Sequence, residues 1–70
     1  MTKKEFQTLR GQYRRVCREL YQRAESRAHD EFVLSDATIA LYAGLRENVA
    51  AFAVRVGCSI SAAADMLNLH

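Results

Sequence analysis

The chain predicts an all-α fold, a long helical hairpin completed by a short C-terminal helix, and three observations carry that prediction. Its 70 residues include no proline to interrupt a helix. Apolar residues recur at steps of three and four along two long segments, and no stretch shows the two-residue alternation of a half-buried strand. Ser35, Gly57 and the Ser59 or Ser61 position punctuate those segments with residues that start and stop helices.

In the first segment Phe6, Leu9, Tyr13, Val16, Cys17, Leu20 and Ala24 fall on one side of a helical wheel, which predicts helix 1 over about residues 3–28. Gln7, Arg14, Arg15, Arg18 and Gln22 fall on the other side. Gly11 lowers helix propensity by about 1 kcal/mol and allows a bend or a close approach. Phe32, Val33 and Leu34 then precede Ser35, a good N-cap followed by Asp36, and should pack over the junction like a hydrophobic staple.

Helix 2 is predicted over about residues 36–56, with Gly57 as its left-handed stop. Ile39, Tyr42, Leu45, Val49, Phe52 and Val56 repeat as a heptad-like core seam. Its other side carries Ala40, Ala43, Gly44, Ala50, Ala51 and Val54, a second smooth apolar surface broken by Glu47. A helix apolar nearly all round should be buried nearly all round. Either helices 1 and 3 cover one side each, as a self-contained three-helix bundle, or a second molecule covers the small residues. Helix 3 follows over about residues 60–68, capped by Ser59 or Ser61, with Ile60, Ala63, Ala64, Leu67 and Met66 as its apolar side.

The length allows one domain, residues 1–70. At this size folding hides only roughly 60% of the unfolded surface, so a lone monomer is marginal without a metal, disulfides or a partner. No apolar run reaches the roughly 18 residues of a membrane span, and no apolar core follows the basic start MTKKEFQTLR as in a secretory signal, so a cytoplasmic protein is expected. Cys17 and Cys58 lack metal-ligand spacing and read as small buried hydrophobes. Neither catalytic, metal nor cofactor residues emerge: His29 and His70 sit at ends, and Gly11, Gly44 and Gly57 are too isolated to cradle a phosphate. A small-molecule substrate is therefore not expected, and neither is enzymatic activity.

The net charge of +2 hides an asymmetry: residues 1–31 hold eight basic and five acidic side chains, residues 32–70 two and three. Arg10, Arg14, Arg15, Arg18 and Gln22 form a candidate basic face, whose guanidinium forks suit phosphates or carboxylates. Ala40, Ala43, Gly44, Glu47, Ala50, Ala51 and Val54 form a candidate partner or homodimer interface. The leading expectation is a non-enzymatic helical adaptor, inhibitor or anti-activator that binds and occludes a partner protein, with Tyr21, Tyr42 and Phe52 as aromatic contributors. The alternative is a nucleic-acid-associated transcriptional regulator.

The stretch VAAFAVRVGCSISAAADMLNLH resembles the first half of a helix-turn-helix, through the capped start at Ser59 or Ser61, the Ala63 and Ala64 pair, and Leu67 and Leu69 around Asn68. The resemblance implies DNA binding through a following recognition helix. That helix has no counterpart before His70, so no base-reading residue carries over. The start MTKKEF followed by LR, and the segment Phe32-Val33-Leu34-Ser35-Asp36, resemble the Hha/YmoA-type helical modulators of nucleoid proteins. That match needs a gap inside helix 2 and a different helix 1 length.

Overall fold

A computed structural model describes residues 1–30 and 35–68, and these form three helices: α1 (Lys3–Asp30), α2 (Asp36–Val56) and α3 (Ile60–Met66). The sequence places α2 correctly and stops α1 two residues early; α3 ends at Met66 rather than residue 68. Leu67 and Asn68 form a closing turn there, Asn68 with a positive φ of 56°. The Phe32, Val33 and Leu34 staple lies outside the described residues, as do Glu31, Leu69 and His70.

Each helix begins on a hydroxyl cap. Thr2 Oγ1 accepts from the Glu5 N–H at 3.1 Å, a start not expected from the sequence. Ser35 Oγ accepts from the Thr38 N–H and Ser59 Oγ from the Ala62 N–H, each satisfying an orphan donor of a first turn. Gly57 stops α2 at φ 79°, ψ 41°, and its N–H donates to the Ala53 carbonyl.

α1 and α2 form an antiparallel hairpin whose register follows from two adjacencies. A Cβ built on Gly44 would meet Leu20 Cδ1 at 3.9 Å, and Val16 and Asn48 line one small recess. α3 turns through 99° from α2 and seals one side of the hairpin's lower half. Buried there are Cys17, Val49, Phe52, Ala53, Ala63 and Leu67, with Phe6, Leu9, Tyr13 and Leu45 packed around them. Phe52 is the hub, its ring 5.4 Å from Tyr13 and 6.3 Å from Phe6.

Three seam residues of the sequence prediction miss this core. Val16 is 43% exposed, Ile39 51% and Ile60 57%. α1 approaches α2 along Thr38, Leu45, Val49 and Phe52, and Ile39 stands one residue, about 100°, round from Thr38. Thr38 is fully buried, and a 3.1 Å hydrogen bond shared with Ser35 Oγ satisfies its hydroxyl there. Gly11 meets nothing within 4 Å, so it serves no close approach.

The molecule is a rod, 45 × 17 × 17 Å, and its radius of gyration of 13.2 Å exceeds the roughly 11 Å of a compact chain this long. Its accessible surface is 5115 Å², against roughly 4,400 Å² for a compact monomer of its mass.

Candidate interaction surfaces

α2 turns one strip away from α1. Ala40, Ala43, Glu47 and Ala51 are exposed along it, Ala50 is half-buried, and Val54 is 82% exposed. Exposed aliphatic surface at helical spacing, with one carboxylate in its middle, is what the sequence offered as a partner face. Gly44 belongs elsewhere. It faces Leu20 inside the hairpin, and its carbonyl accepts from Asn48 Nδ2 at 2.7 Å.

The arginine face divides. Arg15, Arg18 and Gln22 are exposed around a shallow depression of about 330 Å³ that Gly11, Glu19 and part of Arg14 also line. Arg14 is half-buried and points to the C-terminal end of α3. Its Nη2 lies 2.5 Å from the side-chain amide of Asn68, whose oxygen faces it once the amide is oriented to satisfy both neighbours, and its Nε is buried without a partner. A cation at the negative pole of α3 suits the helix dipole. Arg10 is half-buried, its guanidinium carbon 5.9 Å from the centre of the Phe6 ring. Two of the four arginines are thus turned to intramolecular work.

The aromatics divide similarly. Phe52 is core, whereas Tyr42 is half-buried at the hairpin edge, where its hydroxyl donates to Glu25 Oε1 at 3.0 Å. Burial, then the hydrogen bond and charge of Glu25, raise the Tyr42 phenol above its ordinary pKa. Tyr21 is exposed. Cys17 and Cys58 are free thiols, Cys17 fully buried and Cys58 half-buried, and burial raises the Cys17 pKa. No group of three His, Cys, Asp or Glu side chains is placed to hold a metal ion among the described residues. Nor is any single described helix long and apolar enough to cross a membrane.

One surface escaped the sequence reading. On the side of the hairpin away from α3, three concavities of about 320, 150 and 630 Å³ succeed one another from Lys4 to Arg27. Their α1 residues include Glu5, Leu9, Gln12, Val16, Glu19 and Arg23, spaced at alternating steps of four and three. That periodicity is legible in the sequence, but its mixed polarity hides it beside the stronger stripe through Cys17.

No protein-family model, curated protein or solved structure matches the chain. The two resemblances drawn from short segments gain nothing from those comparisons.

Proposed function

We propose that this protein is a small non-enzymatic interaction protein that binds and occludes a partner protein through the outer strip of α2. One observation carries the proposal: Val54, Ala40, Ala43 and Ala51 form an exposed aliphatic strip on a helix whose opposite side is already buried. Aliphatic surface aligned on a rigid helix is the kind that a partner's groove or helix covers, and Glu47 at its centre would favour a basic group on that partner. Arg15 and Arg18, on the far side of the rod, would steer approach to an acidic surface. The unpaired thiols suit a reducing compartment, so the proposal extends to a cytoplasmic site of action.

Nucleic acid is the weaker reading. The α2–α3 corner has a turn containing Gly57 and the 99° angle of a helix-turn-helix, yet α3 exposes Ile60, Ser61 and Asp65 and carries no basic side chain. Withdrawal of Arg10 and Arg14 also thins the phosphate-facing cluster.

The test is recovery of the tagged protein from lysate of its source, with and without nuclease, beside an Ala43→Glu, Val54→Glu variant and an Arg15→Ala, Arg18→Ala variant. The expected result is one stoichiometric protein that survives nuclease and is lost only from the α2 variant. Capture abolished by nuclease and by the arginine variant would overturn the proposal in favour of nucleic acid.

A further inference from the structure

We propose that α3 is a lid: it swings open as a unit about the Cys58–Ser59 link while the α1–α2 hairpin stays folded, and Arg14 is its latch. This goes beyond the occluding role of the outer α2 strip and does not depend on it.

The corner between α2 and α3 is built as a joint. The Gly57 and Cys58 N–H groups both donate to the Ala53 carbonyl, at 2.8 and 3.0 Å, and so belong to α2. Beyond them, Ser59 accepts from the Ala62 N–H through its hydroxyl and from the Ala63 N–H through its carbonyl, so α3 carries its own cap. Each of these bonds closes on one side of the Cys58–Ser59 link, and rotation there breaks none of them. Ser59 is extended, at φ −71° and ψ 160°, and the adjoining turn at Gly57 has open space around it. A short element-terminal link of this kind is where a hinge absorbs its dihedral change.

The hairpin has its own means of staying folded. Phe52 meets Phe6 and Tyr13, Gly44 meets Leu20, and Tyr42 donates to Glu25, all of them contacts between α1 and α2. Ala24 and Thr38 are fully buried in the upper half of the rod, away from α3. The α3 segment commits two fully buried side chains to the hairpin, Ala63 and Leu67, while Ile60, Ser61 and Asp65 stay exposed. Its share of the packing is therefore the smaller one, and an element with few buried contacts opens before the rest.

The latch carries its own penalty. Arg14 Nη2 donates to the Asn68 amide oxygen, and the Asn68 nitrogen donates in turn to the Asp65 carbonyl at 3.3 Å, so one side chain closes the end of α3 and ties it to α1. The same guanidinium has its Nε buried without an acceptor. A buried unmatched donor costs free energy only while it stays buried. Arg14 stands beside Arg15 and Arg18 on a side of α1 that is open to water, so lifting α3 gives its nitrogens solvent partners. Closure thus rests on a contact that also strains it, which poises the lid between two states. Beneath it lie Cys17, Val49 and Ala53, all buried, and the free Cys17 thiol reports each opening.

Alkylation of Cys17 by iodoacetamide, read site by site by mass spectrometry at low conversion and at rising urea below the unfolding transition, tests the lid. In the parent the Cys17 rate should be nearly flat in urea, because opening exposes only the small surface under α3. A rate set by whole-chain unfolding would climb with the full denaturant slope. Asn68→Gly drops the latch but keeps the positive φ of 56° unstrained, and it should raise the Cys17 rate at least about fivefold. Leu41→Ala lies roughly 18 Å up α2 from the lid's seat at Ala53. It should lower the urea midpoint of the circular dichroism and leave the Cys17 rate in low urea unchanged. A parent rate with the full unfolding slope, an Asn68→Gly rate equal to the parent's, or a Leu41→Ala rate raised in step with its lost stability would overturn the proposal. Capture of the partner protein is read separately on Val54→Glu, so either idea can fail alone.

Discussion

Replacing Phe52 with alanine should nearly abolish the stability of this protein. Phe52 is the largest fully buried side chain among the described residues, and its ring meets both Phe6 and Tyr13 from α1. Truncating a buried phenylalanine costs roughly 3–5 kcal/mol, and the two lost aromatic contacts favour the upper part of that range. A chain of 70 residues commands only roughly 4–10 kcal/mol in total. Among the described residues few groups share the load, since three of the seven buried apolar ones are alanines. Relaxation into the gap is also limited, because α1 and α2 are rigid rods held in register by Leu20 and Gly44. Urea unfolding followed by circular dichroism at one fixed protein concentration measures the loss. Phe52→Ala should lower the thermal midpoint by at least about 12 °C. Val54→Ala, two residues along the same helix and 82% exposed in the parent, should stay within about 0.5 kcal/mol of it. A Phe52→Ala loss below about 1 kcal/mol, or an equal loss from Val54→Ala, would refute the packing assigned to α2.

The glycines should respond with opposite signs. Gly11→Ala, in an exposed turn of α1 with nothing within 4 Å of a new Cβ, should stabilise by up to about 1 kcal/mol. Gly57→Ala, at φ +79°, should destabilise by about 1–2 kcal/mol, although space is equally open there. Denaturant midpoints of the two variants check both signs, and a shared sign would contradict the backbone assignments. The thiols give a pH prediction. Because burial raises the Cys17 pKa in the folded chain, the unfolded chain ionises first as pH rises, and the stability held below about pH 9 should decline on passing through the higher folded value. Cys17→Ala should flatten that alkaline decline, and in the native parent a maleimide should label Cys58 well before Cys17. Equal labelling rates would show that α3 does not seal Cys17.

Local chemistry determined much of this fold before any contact was known. The hydroxyls of Ser35 and Ser59 satisfy N–H groups that lie three residues ahead of them, and Gly57 takes a left-handed conformation that penalises other residues. These are decisions within a single turn, so they can be read from neighbouring letters. Helical periodicity likewise assigns Cys17, Phe52 and Ala63 to the inside, since each lies at the middle of its apolar stripe.

The edges of those stripes were decided by tertiary packing alone. Val16, Ile39 and Ile60 are as apolar as their buried neighbours, yet the approach angle of α1 and the 99° turn of α3 leave them in water. Arg14 has the same local character as Arg15, and only the position of Asn68 at the end of α3 draws one inward and leaves the other out. A sequence specifies which residues share a face of a helix through a fixed 100° step. Which neighbour covers that face, and how far round, depends on residues distant in the chain, and that is where the divided arginine cluster and the groove opposite α3 became visible.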